Sequence, residues 1–269
     1  MKKIMRDTIR PIGLTLIGPV AGFVVIFFIE AFGNTEVGKL PGALINLIVV
    51  GVIALILFPR LLGIPFGRIE TAAFLKKLGF YVPKQTLKHL ALGVVLAAFT
   101  LSGMLVASML TGKYTLDAST INLPHLVFGL NPALWEELFY RGVLMALLIR
   151  QTRSVKKAAV IQILLFGLSH IKGLDAWAFV DVFSVMIIAI GFTYVAYKTR
   201  ALVAGIVFHY VHDALLFFVQ LQTGIQTGIE YKILFYGLLW LMVGIGILIT
   251  RIAADKWGVR AEAKLYLVE

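Results

Sequence analysis

Long apolar stretches separated by short segments rich in Lys and Arg dominate the chain, and this pattern predicts helices that cross a membrane. A hydrocarbon core of about 30 Å takes about 20 apolar helical residues to span. Eight stretches reach or approach that length, at approximately 12–33, 41–58, 88–110, 126–149, 157–171, 178–197, 201–220 and 233–250. The fifth is short, and charges interrupt the fourth. The runs lack the ten-residue alternation of a membrane barrel, and a lipid-facing helix satisfies its own backbone hydrogen bonds. The expected fold is therefore all-α: a polytopic bundle of about eight transmembrane helices. No repeat, low-complexity tract or linker divides it, so residues 1–269 are read as one integral membrane domain.

Composition supports the pattern. Hydrophobic residues make up 60% of the chain and charged residues 14%, against about 45–50% and about 25% in soluble domains. The absence of cysteine excludes disulfides, thiolate metal sites and a cysteine nucleophile. A formal charge of +11 raises the question of nucleic acid, and the placement of the cations answers it. Twenty of the 25 Lys and Arg residues fall in segments that lie on one side of the eight-span arrangement, and only Lys39, Lys113, Lys172 and Lys232 fall on the other. This asymmetry predicts a multi-pass protein of the cell membrane with both termini cytoplasmic. The bilayer is then the partner the cations face, and no nucleic-acid partner is expected.

Three segments have local readings. Met1-Lys2-Lys3 leads into an apolar run from Ile12 to Phe32, longer than the 7–15 residues of a signal-peptide core, so it is read as a first span although Ala31 and Gly33 loosely resemble a cleavage site. From Pro59 to Thr86, cations alternate with Phe66, Ile69, Phe74, Leu78, Phe80 and Tyr81. That segment fits either an interfacial amphipathic helix or a folded-back loop. The tail after Arg251, with Trp257, Leu265 and Tyr266, also suits the membrane surface.

Ionisable residues inside spans cost about 2.5–3.5 kcal/mol each on insertion scales and mark function. They concentrate in three places: Trp135-Glu136-Glu137-Leu138-Phe139-Tyr140-Arg141, Phe166-Gly167-Leu168-Ser169-His170, and His209-Tyr210-Val211-His212-Asp213. Glu30 and Asp181 lie near span ends. Glu136 is 14 residues from Arg150, His170 is 13 from Lys157, and His209 and Asp213 are 9 and 13 from Arg200. At about 1.5 Å per residue these offsets are roughly 21, 20, 14 and 20 Å, a shared depth near mid-membrane.

Helix direction separates the two glutamates. Adjacent residues project about 100° apart, so Glu136 and Glu137 are not expected to face one pocket. Glu137 and Arg141 stand at i and i+4 and are expected to pair, which leaves Glu136 to face the site; the alternative has Arg141 holding both acids. His209 and Asp213 also share a face, where the carboxylate would orient the imidazole and fix its tautomer. His212 projects away and is read as supporting. A carboxylate base with nearby histidines to orient water or donate to an oxyanion supplies what peptide hydrolysis needs without a serine or cysteine.

The elements Glu136-Glu137-x-x-x-Arg141, Phe166-x-x-x-His170 and His209-x-x-x-Asp213, in this order, resemble the motifs of the CAAX protease and bacteriocin-processing family of intramembrane peptidases, also called the Abi family. The resemblance covers roughly 124–220, the expected catalytic core. It implies an endopeptidase acting on a membrane-associated peptide or lipidated protein, with Glu136 and His170 activating water and His209 with Asp213 stabilising the oxyanion. Glu137, Arg141 and Phe166 are supporting residues, and no cofactor is implied. Prenyl-protein processing relatives commonly carry Asn at the last position. An ionised Asp213 does not donate a hydrogen bond, so it is either protonated or serves to orient His209. Three other readings use the same residues. Glu136, His170 and His209 would supply two nitrogens and one oxygen to zinc, although the His-Glu-x-x-His signature is absent. A proton-coupled transporter would show paired broken helices in similar halves, which the sequence lacks. A non-enzymatic immunity or scaffold protein would retain the fold alone.

Overall fold

The computed structural model describes residues 68–110, 114–116, 123–171, 173–216, 219–221 and 229–261, with isolated positions between 44 and 56. The expected first span, most of the second, Glu30 and the end of the tail lie outside the described residues. Elements run in the order α1 (Arg68–Lys77), α2 (Thr86–Leu110), β1 (Tyr114–Leu116), α3 (Leu123–Glu136), a π-helical segment (Glu137–Leu144), α4 (Met145–Thr152), α5 (Val155–Leu168), α6 (Ala176–Thr199), α7 (Val203–Leu216), β2 (Val219–Leu221) and α8 (Ile229–Lys256). The architecture is helical, as expected, with one small departure. β1 and β2 form an antiparallel pair, with Thr115 opposite Gln220.

α2, α6 and α8 are long and apolar enough to cross a membrane. Exposed apolar side chains stand on all three, among them Val94, Phe99 and Met109 on α2, Phe179 and Ile190 on α6, and Leu241 and Leu248 on α8. The chain is a membrane protein. The expected spans at 157–171 and 201–220 correspond to α5 and α7, each 14 residues long. At about 1.5 Å per residue such helices reach only about 21 Å, short of a full crossing. The expected fourth span is an unbroken helical run from Leu123 to Thr152 assembled from α3, the π segment and α4, with Pro132 inside α3.

Local signals explain where several helices begin and end. Ser154 caps α5 by accepting from the Lys157 amide at 3.3 Å. Asp175 caps α6 by accepting from the amides of Trp177 and Ala178 at 2.9 and 3.0 Å. Capping side chains of this kind satisfy amides that have no partner within the helix. Arg153 and Arg200 close α4 and α6 in the left-handed conformation, with φ of 54° and 59°. The described part of 59–86 combines both readings: α1 is a helix that buries Phe74 and Leu75 and exposes Lys76 and Lys77, and from Leu78, buried in the same core, the chain is irregular up to Gln85.

Packing is organised around α7. Its contact with α2 is the most extensive between any two described elements, and α3 packs on it as well. Gly93 of α2 makes the first contact possible, because a Cβ there would stand 2.7 Å from both the Ala204 carbonyl oxygen and the Val207 Cβ. Gly93→Ala is therefore expected to lower thermal stability in detergent by about 1–3 kcal/mol through overpacking. Gly244→Ala, where nothing lies within 4 Å of the added Cβ, should be neutral or stabilising because alanine is the better helix former. A rise in stability for Gly93→Ala would refute this account of the contact.

Hydrogen bonds between helices complete the bundle. Thr193 of α6 donates to Gln162 of α5 at 2.7 Å in a buried setting. Toward the other end of α6, Trp240 of α8 donates to Ser184 at 3.2 Å and Tyr236 donates to Asp181. Such cross-helix bonds hold helices together where apolar packing alone does not distinguish neighbour from lipid.

Candidate active site

Four short stretches of chain build the site: the α3 to π junction, the turn after α5, the middle of α6 and the second half of α7. Glu136 is the last residue of α3, and Glu137 begins the π segment, all eight of whose residues are buried. π turns widen the helix and recur at functional sites. The π hydrogen-bond pattern changes the angular step between residues on which the sequence argument about the two glutamates relied.

Glu137 and Arg141 pair as expected, with Arg141 Nη1 3.2 Å from Glu137 Oε1 and both side chains fully buried. The contact is a charge pair rather than an aligned hydrogen bond, since no guanidinium nitrogen meets hydrogen-bond geometry among the described residues. The guanidinium instead lies between two rings, 4.1 Å from the Phe166 centroid and 5.0 Å from that of Phe192. Those rings each touch a histidine: Phe166 lies 4.7 Å from His170, and Phe192 stacks on His209 at 4.8 Å.

His170 follows the C-terminal end of α5, where its Nδ1 donates to the Phe166 carbonyl at 2.8 Å. A carbonyl only accepts, so Nδ1 carries a proton, and in the neutral form of the ring Nε2 is the nitrogen with the lone pair. Ser169 donates to the same carbonyl at 2.7 Å and accepts from Tyr140 at 3.0 Å. The turn carrying His170 is thereby tied to the π segment. Irregular backbone of this kind persists at membrane depth only when packed in protein or lining a cavity.

His209 is nearly buried and meets three carboxylates. Its Nδ1 lies 3.1 Å from Glu137 Oε1, and its Nε2 lies 3.4 Å from Asp213 Oδ2 and 3.9 Å from Glu136 Oε2. One expectation is corrected here, and the His209–Asp213 contact expected from their spacing is present. Glu136 and Glu137 do converge on one imidazole, because they approach its opposite nitrogens. The partner of Nδ1 is Glu137, and Asp213 faces Nε2. Gly205 of α7 leaves room for this arrangement, since a Cβ there would come within 3.2 Å of Glu137 Oε2. Asp213 also contacts His212 Nδ1 at 3.3 Å, which places His212 behind it.

Glu136 completes the group, with Oε1 4.0 Å from His170 Nε2. Its side chain is 19% exposed and that of His170 31%, whereas Glu137 and Arg141 are at 0%. Exposure separates a reachable pair from a buried support. Contacts near 4 Å exceed a hydrogen bond and are of a size that one water bridges. Among the described residues, no group of three or more His, Asp or Glu side chains is arranged to hold a metal ion.

Residues that sequence reasoning did not single out are Phe192, Tyr140 and Ser169. Tyr140 and Ser169 lie inside the motifs already quoted. Phe192 had no signal, because it sits in a helix that is hydrophobic all round.

The arrangement defines a site of one reachable carboxylate between two imidazoles in a membrane protein. Comparison with protein families agrees: residues 118–215 match a family described as Type II CAAX prenyl endopeptidase Rce1-like. The chain is similar to that protease family over just over a third of its length, a stretch that contains all seven residues of the three motifs. Neither the curated proteins nor the solved structures yield a match.

Proposed function

We propose that the protein is an intramembrane endopeptidase that hydrolyses a peptide bond of a membrane-associated, and by its family likeness prenylated, protein or peptide. The observation that carries this reading is the approach of Glu136 to Nε2 of both His170 and His209, at 4.0 and 3.9 Å, within the stretch that matches a protease family. A water between Glu136 and His170 would be held by two acceptors. Glu136 takes a proton from it as its oxygen adds to the substrate carbonyl carbon. His209, as an imidazolium with Glu137 at Nδ1, donates from Nε2 to the oxyanion that forms. Asp213 accepts from that nitrogen at rest and orients it. When the tetrahedral intermediate collapses, the carbon–nitrogen bond breaks and Glu136 returns its proton to the leaving amine.

The whole chain acts as one multi-pass domain with a catalytic core near 124–220, both termini face the cytoplasm, and the chemistry uses no cofactor. A site at this depth suits an extended tail anchored in the bilayer better than a folded soluble protein. The test is cleavage mapping by mass spectrometry with purified protein in proteoliposomes and a panel of prenylated and unprenylated peptides. Cleavage confined to prenylated peptides and undiminished by chelators is the expected result. Loss of cleavage on chelation with recovery on adding zinc would replace the metal-free mechanism, and no cleavage of any peptide by the folded protein would sink the peptidase reading.

A further inference from the structure

The basic ends of several helices gather at one end of the bundle, and a cavity opens among them. Leu202 donates its amide to the Gly79 carbonyl at 2.8 Å, and Ala261 donates its amide to the Thr199 carbonyl at 2.8 Å. Tyr81 donates to the Arg200 carbonyl at 3.2 Å, and Lys88 Nζ donates to the Trp257 carbonyl at 2.9 Å. These bonds join the segment before α2, the α6–α7 connection and the chain after α8. The cavity, about 260 Å³, is lined by Lys76, Tyr81, Lys84, Gln85 and Arg260, with Val82, Pro83 and Ala261 completing the wall. Three cations line it, and among the described residues no acidic side chain does.

The surroundings suit a membrane surface. Val82 of the wall and Leu87 beside it are each 81% exposed, and Trp257 is 60% exposed. Exposed aliphatic groups next to a cationic pocket, with a tryptophan nearby, match the boundary between acyl chains and headgroups. Clustered cations at that boundary attract anionic lipid. The cavity stands apart from the Glu136 site, sharing no residue with it.

We infer that this cavity is a binding site for an anionic phosphate group at the membrane surface, held by Lys76, Lys84 and Arg260. A phosphodiester accepts from the guanidinium and both ammonium groups, and Gln85 offers a further donor. The acyl chains of a bound phospholipid would lie along Val82 and Leu87. A free phosphate would use the same cations without those apolar contacts.

The test is thermal unfolding of the purified full-length protein in neutral detergent with added phosphatidylglycerol, phosphatidylcholine or inorganic phosphate. Phosphatidylglycerol is expected to raise Tm by about 4 °C and phosphatidylcholine to have no effect, since only a ligand of the folded state stabilises it. Lys76→Gln/Arg260→Gln should remove that rise, and Arg150→Gln/Lys156→Gln, which removes equal charge from exposed positions elsewhere, should retain it. A rise with inorganic phosphate as well, lost in the same variant, would assign the site to phosphate groups in general. No rise with phosphatidylglycerol or phosphate, a rise undiminished in Lys76→Gln/Arg260→Gln, or an equal loss in both double variants would overturn the inference.

Discussion

Glu136→Gln is expected to reduce peptide cleavage by about 10²–10⁴-fold, the usual contribution of a positioned general base, while leaving the melting temperature within a degree or two of the parent. The amide keeps the size of the carboxylate and its place between His170 and His209, but it does not take a proton from water. Its partial exposure makes the substitution structurally mild, because its contacts with His170 and His209 among the described residues are longer than hydrogen bonds. The measurement is the single-turnover cleavage rate beside a melting curve of the same preparation. A rate within a factor of three of the parent, from folded protein, would remove Glu136 from the mechanism and favour a binding-only role for this chain.

Arg141→Ala should act in the opposite way, through stability first. The substitution leaves the fully buried Glu137 carboxylate without its guanidinium partner, with His209 alone beside it. Breaking one side of a buried pair costs about 3–5 kcal/mol, far more than exposed charges lose. A clear fall in Tm and a poor yield of folded protein follow. Arg141→Lys should recover little, because an ammonium does not fill the planar slot between the Phe166 and Phe192 rings. The double change Glu137→Leu/Arg141→Met removes both charges and should restore much of the stability. Cleavage should stay low in that variant, since His209 Nδ1 loses its acceptor. Full activity in the double variant would show that Glu137 does not hold His209 for catalysis.

How much of this was readable in advance depended on whether a feature stood out from its surroundings. α2, α6 and α8 follow from uninterrupted apolar runs, and Glu136, His170 and His209 are conspicuous because ionisable side chains are rare in such helices. The pairing of Glu137 with Arg141 followed from their spacing. The π segment left no comparable trace, since all eight of its residues are buried and no period in the sequence marks its extra residue per turn. The bond from Glu137 to His209, 72 residues apart, was hidden for the same reason: an α-helical projection gave Glu137 wholly to Arg141. Phe192 was invisible because a helix apolar on every side does not reveal which face turns inward. Hydropathy does not give the helical length of α5 and α7, which are 14 residues each among the described residues, the fifth span having been read as short from the outset.

The Arg141 guanidinium held between Phe166 and Phe192 has a bearing on how the protein meets bilayers of different thickness. Helices tilt to match the lipid around them, and a site shared among several helices would drift out of alignment as they do. Here one guanidinium contacts both the ring beside His170 and the ring beside His209. That shared contact is expected to hold the two imidazoles at a fixed spacing while the outer helices tilt to match the lipid.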